Sequence, residues 1–228
     1  MKYSIYGLIL VLVLLVGCAA TTNEAQVKAP VGQESAETTP QTQQITNKAE
    51  TTPQESPEEI PADIKSVIEK GKIFLKSYSY EYKSPSVKEA HKIYVNGNKI
   101  KIIPSKMIIL DKDNFYNTIY IDSEMKTAEA YCLGYSACGK NLGKVKDLDF
   151  KTTYIETPIG WLNKITSAEK IDERQVEGRA SLYIQTNIGK VTLESHYGFI
   201  YMVEEGKNKF EFSDAAFNSV QDSDVVPS

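Results

Sequence analysis

The feature that most limits how this chain can fold is a change of composition near Pro61. Between Ala19 and Pro61 the chain is rich in Thr, Gln, Glu and Pro, contains no aromatic residue, and repeats Thr-Thr-Pro-Gln at 38–41 and 51–54. Such a segment cannot bury enough apolar surface to offset the entropy of ordering it, so it reads as a disordered tether. A flexible coil of roughly forty residues spans about 35 Å. Folding is left to residues 62–228, a length that suits one domain with its own core. Charge divides at the same point. Residues 19–60 carry seven acidic residues against two lysines, which with Lys2 accounts for the whole-chain net charge of −4 and leaves 61–228 near zero. A near-neutral domain lacks the basic excess that phosphate binding requires, so nucleic acid is not an expected partner.

The N-terminus specifies a compartment. Lys2 precedes an apolar run from Ile5 to Val16, and small residues then surround Cys18 in Leu15-Val16-Gly17-Cys18. This is the anatomy of a secretory signal. A cysteine directly after a Leu-x-Gly triplet resembles the lipobox of prokaryotic lipoproteins. That resemblance implies a signal peptide at 1–17, cleavage before Cys18, acylation of Cys18, and a tether over 18–61. The alternative is an uncleaved anchor, because Tyr3 to Ala20 is near the shortest length that spans a bilayer. Either way the remainder faces the extracytoplasmic side.

Beyond Pro61 the pattern is mostly strand. Tyr78, Tyr80 and Tyr82 alternate with polar residues, as a half-buried strand requires. Ile93-Tyr94-Val95 and Asn98–Ile102 flank Asn96-Gly97, which suits a type I′ turn. Thr118–Asp122 with Thr127–Cys132, Ala180–Thr186 with Val191–Ser195, and Tyr201–Glu204 with Lys209–Ser213 read as further pairs. Two helices interrupt them. Ala62–Lys72 has Ile64, Val67 and Ile68 at one-sided spacing, and Thr157-Pro158 reads as an N-cap followed by proline in the first turn. The expected fold class is therefore α+β, a curved antiparallel sheet packed with one or two helices.

The catalytic inventory is thin. The two histidines, His91 and His196, fall in predicted strands without a partner motif, and no Gly-x-Ser-x-Gly, phosphate loop or His-Glu-x-x-His is present. No catalytic residue, metal site or cofactor is expected. Cys132 and Cys138 are the one sharp pair. With Cys18 assigned to lipid, the domain keeps two cysteines in an oxidising compartment, which favours a disulfide. A metal site, a redox pair and free thiols remain as alternatives. The fourteen tyrosines suit either a packed sheet face or the lining of an apolar cavity, and strand parity alone does not choose between them.

The order of elements resembles the LolA/LolB-like lipoprotein-carrier superfamily. The likeness lies in the N-terminal helix, in Tyr94-Val95-Asn96-Gly97-Asn98-Lys99-Ile100-Lys101-Ile102, and in a tail where His196–Val203 precedes Phe210–Asp214, Phe217-Asn218 and Asp224–Pro227. The family often has Gly-Leu-Pro where this chain has Gly198-Phe199-Ile200, and the 132–138 cysteine loop is foreign to its pattern. The resemblance implies an antiparallel half-barrel closed by helices over an apolar cavity for acyl chains, with Tyr80, Tyr94, Ile102, Tyr120 and Trp161 lining it. It implies a lipid-anchored protein that binds a lipid or other apolar ligand and catalyses nothing. The rival expectation is an adaptor domain with a filled core that binds an envelope protein through its sheet surface. A third, a redox protein built on Cys132 and Cys138, requires an accessible thiol of low pKa.

Overall fold

The computed structural model describes residues 60–227. The signal peptide at 1–17, Cys18 and nearly all of the tether at 18–61 lie outside the described residues. The chain begins with α1 (Ala62–Phe74), which buries Ile64, Val67, Ile68 and Gly71 along one face. Then come β1 (Ser77–Lys83), β2 (His91–Asn96), β3 (Lys99–Ile103), a small ribbon of β4 (Ile108–Ile109) and β5 (Phe115–Tyr116), β6 (Thr118–Asp122) and β7 (Thr127–Cys132). The one-turn helix α2 (Tyr135–Cys138), β8 (Gly143–Leu148), the one-turn helix α3 (Phe150–Thr153) and α4 (Pro158–Lys164) cross to the second half. That half is a meander of β9 (Ala168–Val176), β10 (Arg179–Thr186), β11 (Gly189–Glu194), β12 (Ile200–Glu205) and β13 (Asn208–Phe217).

Eleven strands form one antiparallel sheet in the order β8-β7-β6-β3-β2-β1-β13-β12-β11-β10-β9, so the last strand returns to lie beside the first. The sheet is open, with β8 and β9 as its edges. Its inner face follows strand parity. Tyr78, Tyr80 and Tyr82 of β1 share that face with Ile93 and Val95, Ile100 and Ile102, Ile119 and Ile121, and Val191 and Leu193. One continuous core therefore draws on both halves and includes α1 and α4. Among the described residues, no helix is long and apolar enough to cross a membrane.

The α+β reading describes this architecture, and the structure corrects it in detail. The β2–β3 turn is centred one residue later than expected, because Asn96 pairs with Lys99 and the two loop residues are Gly97 and Asn98. Gly97 takes φ 57° at the first turn position, where a type II′ turn places glycine. His91 opens β2, but His196 lies in the turn between β11 and β12 and not in a strand. There the buried carboxylate of Glu194 accepts the backbone N–H groups of His196, at 3.0 Å, and Tyr197. The sequence pattern marks neither the short ribbon strands β4 and β5 nor two strands of the main sheet. β8 and β9 are the sheet edges, and Lys144, Lys146 and Asp147 in one and Glu169–Arg174 in the other leave no run of alternating apolar residues.

Backbones approach closely where α1 meets the β11–β12 turn. A Cβ added at Gly71 would lie 2.6 Å from the Gly198 carbonyl oxygen, and one added at Gly198 would lie 2.4 Å from that of Val67. Gly198 also holds φ 69°, so both its conformation and its space require glycine. This contact seats the helix on the sheet. Directly beneath it Phe199 meets Tyr78 and Tyr80 edge-on, with ring centroids 6.2 and 6.1 Å away, and Phe212 lies 5.7 Å from Tyr80.

Candidate apolar binding site

Under the first half of the sheet the core stops short of its cover and leaves a cavity of about 410 Å³. Its floor is the inner face, namely Tyr82, Ile102, Ile119 and Phe210, extended by Pro104, Ile108 and Tyr116 at the base of the β4–β5 ribbon. Its roof is the chain from α3 to α4, which contributes Thr152–Glu156 and Trp161. Polar groups collect toward the loop after β1, where Ser84, Ser86 and His91 line it. A larger concavity of about 550 Å³ lies between the β10–β11 and β12–β13 turns. Lysines, Glu204 and turn glycines line that one, so it offers no apolar wall for a ligand.

The sequence builds the roof in a few steps. The Thr157 hydroxyl accepts the Gly160 N–H at 3.2 Å and so caps α4, and Pro158 fixes the first helical turn. One turn in, Trp161 is held between Phe210, 5.2 Å between ring centroids, and the Lys164 ammonium, 4.6 Å from its ring. Lys164 also pairs with the Glu156 carboxylate at 2.5 Å. A Cβ at Gly160 would stand 1.7 Å from Glu156 Oε1, so the glycine makes room for that carboxylate against the helix. Tyr154 donates to the same oxygen at 3.3 Å. Burial, and next the charge of Glu156, push its phenol up to about 12, so it stays a donor at neutral pH. Burial holds the His91 imidazole below its usual value, and its neutral Nδ1 accepts the Ser105 N–H at 3.4 Å.

The structure divides the five residues named from the family resemblance. Ile102 and Trp161 line the cavity. Tyr80 is on the inner face but sealed in the filled part of the core, 1% exposed. Tyr94 and Tyr120 are corrected: strand parity puts them on the outer face. Tyr94 pairs with Ser79 and Lys101, with the ammoniums of Lys92 and Lys101 each 5.6 Å from its ring. Tyr120 pairs with Lys101 and Glu129 and packs edge-on against Tyr131 at 5.3 Å. A residue adjacent in sequence to inward-facing Ile119 cannot share its face. Ile119 itself went unnamed, although it sits directly across from Ile102 in the ladder and could have been found by pairing the strands. Tyr154, Phe210 and the β4–β5 residues come from a loop, a neighbouring strand and a two-residue ribbon, and carry no such signal.

Two further sequence expectations concern chemistry. Cys132, at the end of β7, and Cys138, at the end of α2, form a disulfide with S–S 2.01 Å. Inside the cavity the Ser84 and Ser86 hydroxyls bond to each other at 3.0 Å. Among the described residues no hydrogen bond joins either serine to His91, and no group of three or more His, Cys, Asp or Glu side chains is placed to hold a metal ion.

An open antiparallel sheet that folds one face over helices and leaves an apolar cavity beneath half of its strands is the class of domain these observations define. Neither a protein-family model nor a curated protein matches the chain. Among solved structures the chain is similar to MucB, with 12% identity and a TM-score of 0.42 over 73% of this chain, and it spans 63% of that protein. It is also similar to LprF from Mycobacterium bovis, with 8% identity and a TM-score of 0.45 over 70% of this chain and 93% of that one.

Proposed function

We propose that this chain is a lipid-anchored extracytoplasmic protein whose domain, residues 62–228, binds a lipid or another apolar ligand and catalyses no reaction on it. The observation that carries the reading is the cavity under β1, β3 and β6. Its volume of about 410 Å³ falls within the roughly 300–1,000 Å³ of small-molecule sites, with a mainly apolar floor and polar groups both at the loop after β1 and in the roof at Thr152, Thr153 and Glu156. The adaptor reading requires a core without such a space, and the cavity beside Tyr82, Ile102 and Ile119 favours a ligand over it. The mechanism is physical. Each Å² of apolar ligand surface withdrawn from water contributes about 25 cal/mol. Acylated Cys18 would hold the domain at a membrane surface, and the tether at 18–61 would give it reach. The LolA/LolB-like order of elements supports the same reading.

Native mass spectrometry of residues 60–228, purified without detergent, tests it. The expected result is a bound mass that extracts as lipid. A clean apo mass, unchanged after incubation with lipid vesicles, overturns ligand binding and favours a protein partner.

A further inference from the structure

Nine large apolar side chains are well exposed among the described residues, and five of them lie in two loops that touch. Met107, Ile109 and Leu110 belong to the β4–β5 ribbon, with Ile109 74% exposed. Tyr135 lies inside the disulfide loop and Leu142 just after it, 80% and 54% exposed. Asn141 Nδ2 donates to the Asp113 carbonyl at 2.6 Å and ties the loops together. Farther in, Asn117 bonds both the N–H and the carbonyl of Leu133, at 2.9 and 2.7 Å. The disulfide closes the second loop from behind.

We propose that these two loops form one docking tip for an anionic lipid bilayer, a role separate from ligand binding in the cavity and not dependent on it. Three features fit a bilayer. The apolar side chains protrude, and such groups enter the headgroup–acyl boundary to a depth of about 5–10 Å. Lys106 and Lys144 are paired with Glu89, Glu129 and Asp147, and the remaining lysines of the two loops, Lys112, Lys140 and Lys146, outnumber Asp111 and Asp113 by one, a small positive excess at the tip. The backbone of the tip is also already satisfied, as a low-dielectric interface demands. Ile108 pairs with Tyr116 and Ile109 with Phe115, while Leu110 N–H and Asp111 N–H both donate to the Asn114 carbonyl. The exposed Asp111 carboxylate accepts the N–H groups of Asp113 and Asn114 at 3.0 and 2.9 Å and so satisfies the turn. Cys132–Cys138 closes the loop that carries Tyr135 and so limits how far that side chain can move.

Trp161 is the chain's single tryptophan and lines the cavity, so added tryptophans report the tip separately. The full-length chain is reconstituted with vesicles of equal parts phosphatidylglycerol and phosphatidylcholine bearing brominated acyl chains. Tryptophan emission is compared for the parent, Ile109→Trp, Tyr135→Trp and Ile171→Trp on the far edge strand. The expected result is that bromine quenches about half of the emission added at 109 and at 135 and almost none of that added at 171. Lys112→Gln with Lys140→Gln, or vesicles of phosphatidylcholine alone, should reduce the quenching at 109 and 135. Unquenched emission at both tip positions overturns the proposal, as does equal quenching at 171. Quenching of Trp161 alone also overturns it while leaving the cavity reading intact. Two independent tip positions protect the test if one variant fails to fold.

Discussion

Tyr80 and Tyr82 sit two residues apart on the same face of the same strand, yet they end in different surroundings. Tyr80 is enclosed by Tyr78, Phe199 and Phe212, whereas Tyr82, 5.6 Å from Phe212, borders the cavity. The boundary between filled and hollow core runs through β1. Under the second half, α1 is drawn against the β11–β12 turn by the Gly71–Gly198 contact, and rings of Phe199 and Phe212 fill the space that remains. Over the cavity the cover is the one-turn α3 and the short extended segment after it, with α4, which packs on α1 and β12, reaching in through Trp161, too thin to fill the same depth. The difference teaches that cover decides the outcome. Both halves present comparable apolar strand faces and both contribute to one core, which stays open only where the cover thins beside Tyr82, Ile102 and Ile119.

Gly198→Ala should break the filled half. Left-handed backbone and a clash with the Val67 carbonyl act together, and the expected loss is about 3 kcal/mol, read from urea unfolding. A loss below about 0.5 kcal/mol would mean that α1 is not seated as described. Ile119→Phe sharpens the contrast from the other side. Added carbon in a packed core costs about 1–3 kcal/mol, but here it grows into open volume, so stability should change by less than about 1 kcal/mol while ligand retention falls roughly tenfold. A large destabilisation with ligand retained would show that this part of the molecule is solid.

The smallest effect concerns protons. Burial lowers the His91 pKa in the folded state, so below the unfolded value of 6.5 the unfolded chain takes up a proton that the folded one resists. The stability associated with neutral His91 is complete above that value and declines as pH falls from it toward the folded pKa. The urea midpoint should therefore drop between about pH 7.5 and pH 5.5, and His91→Gln should shrink that drop. An identical drop in the variant would assign the pH dependence to other groups.

Most of the sheet was legible because its interior strands alternate. Once Tyr78, Tyr80 and Tyr82 point inward, the partners Val95, Ile93 and Phe212 follow from the ladder. The capped start of α4 was equally plain in Thr157-Pro158. Edge strands were illegible for a physical reason: β8 and β9 are paired on one side only and bury little, so they need no apolar stripe. The cavity was half legible. Trp161 and Ile102 carry apolar bulk in readable elements, but Tyr94 and Tyr120 are equally aromatic, and only register separates the two faces. The roof over 150–156 follows from tertiary packing, which no local pattern encodes.

The two edges have a consequence for how many such molecules can share a small area. An open sheet of eleven strands presents two free ladders, and a bare ladder is a template on which the next copy extends the sheet. On β9 the Lys170–Glu173 pair and neighbouring Asp172 and Arg174 line that border, and on β8 Lys144 reaches Glu129 and Asp147. Joining two copies edge to edge would bring these hydrated charges together and strip their water for a few backbone hydrogen bonds. Growth into ribbons by edge-to-edge pairing is therefore opposed at both ends, however closely such domains are crowded together.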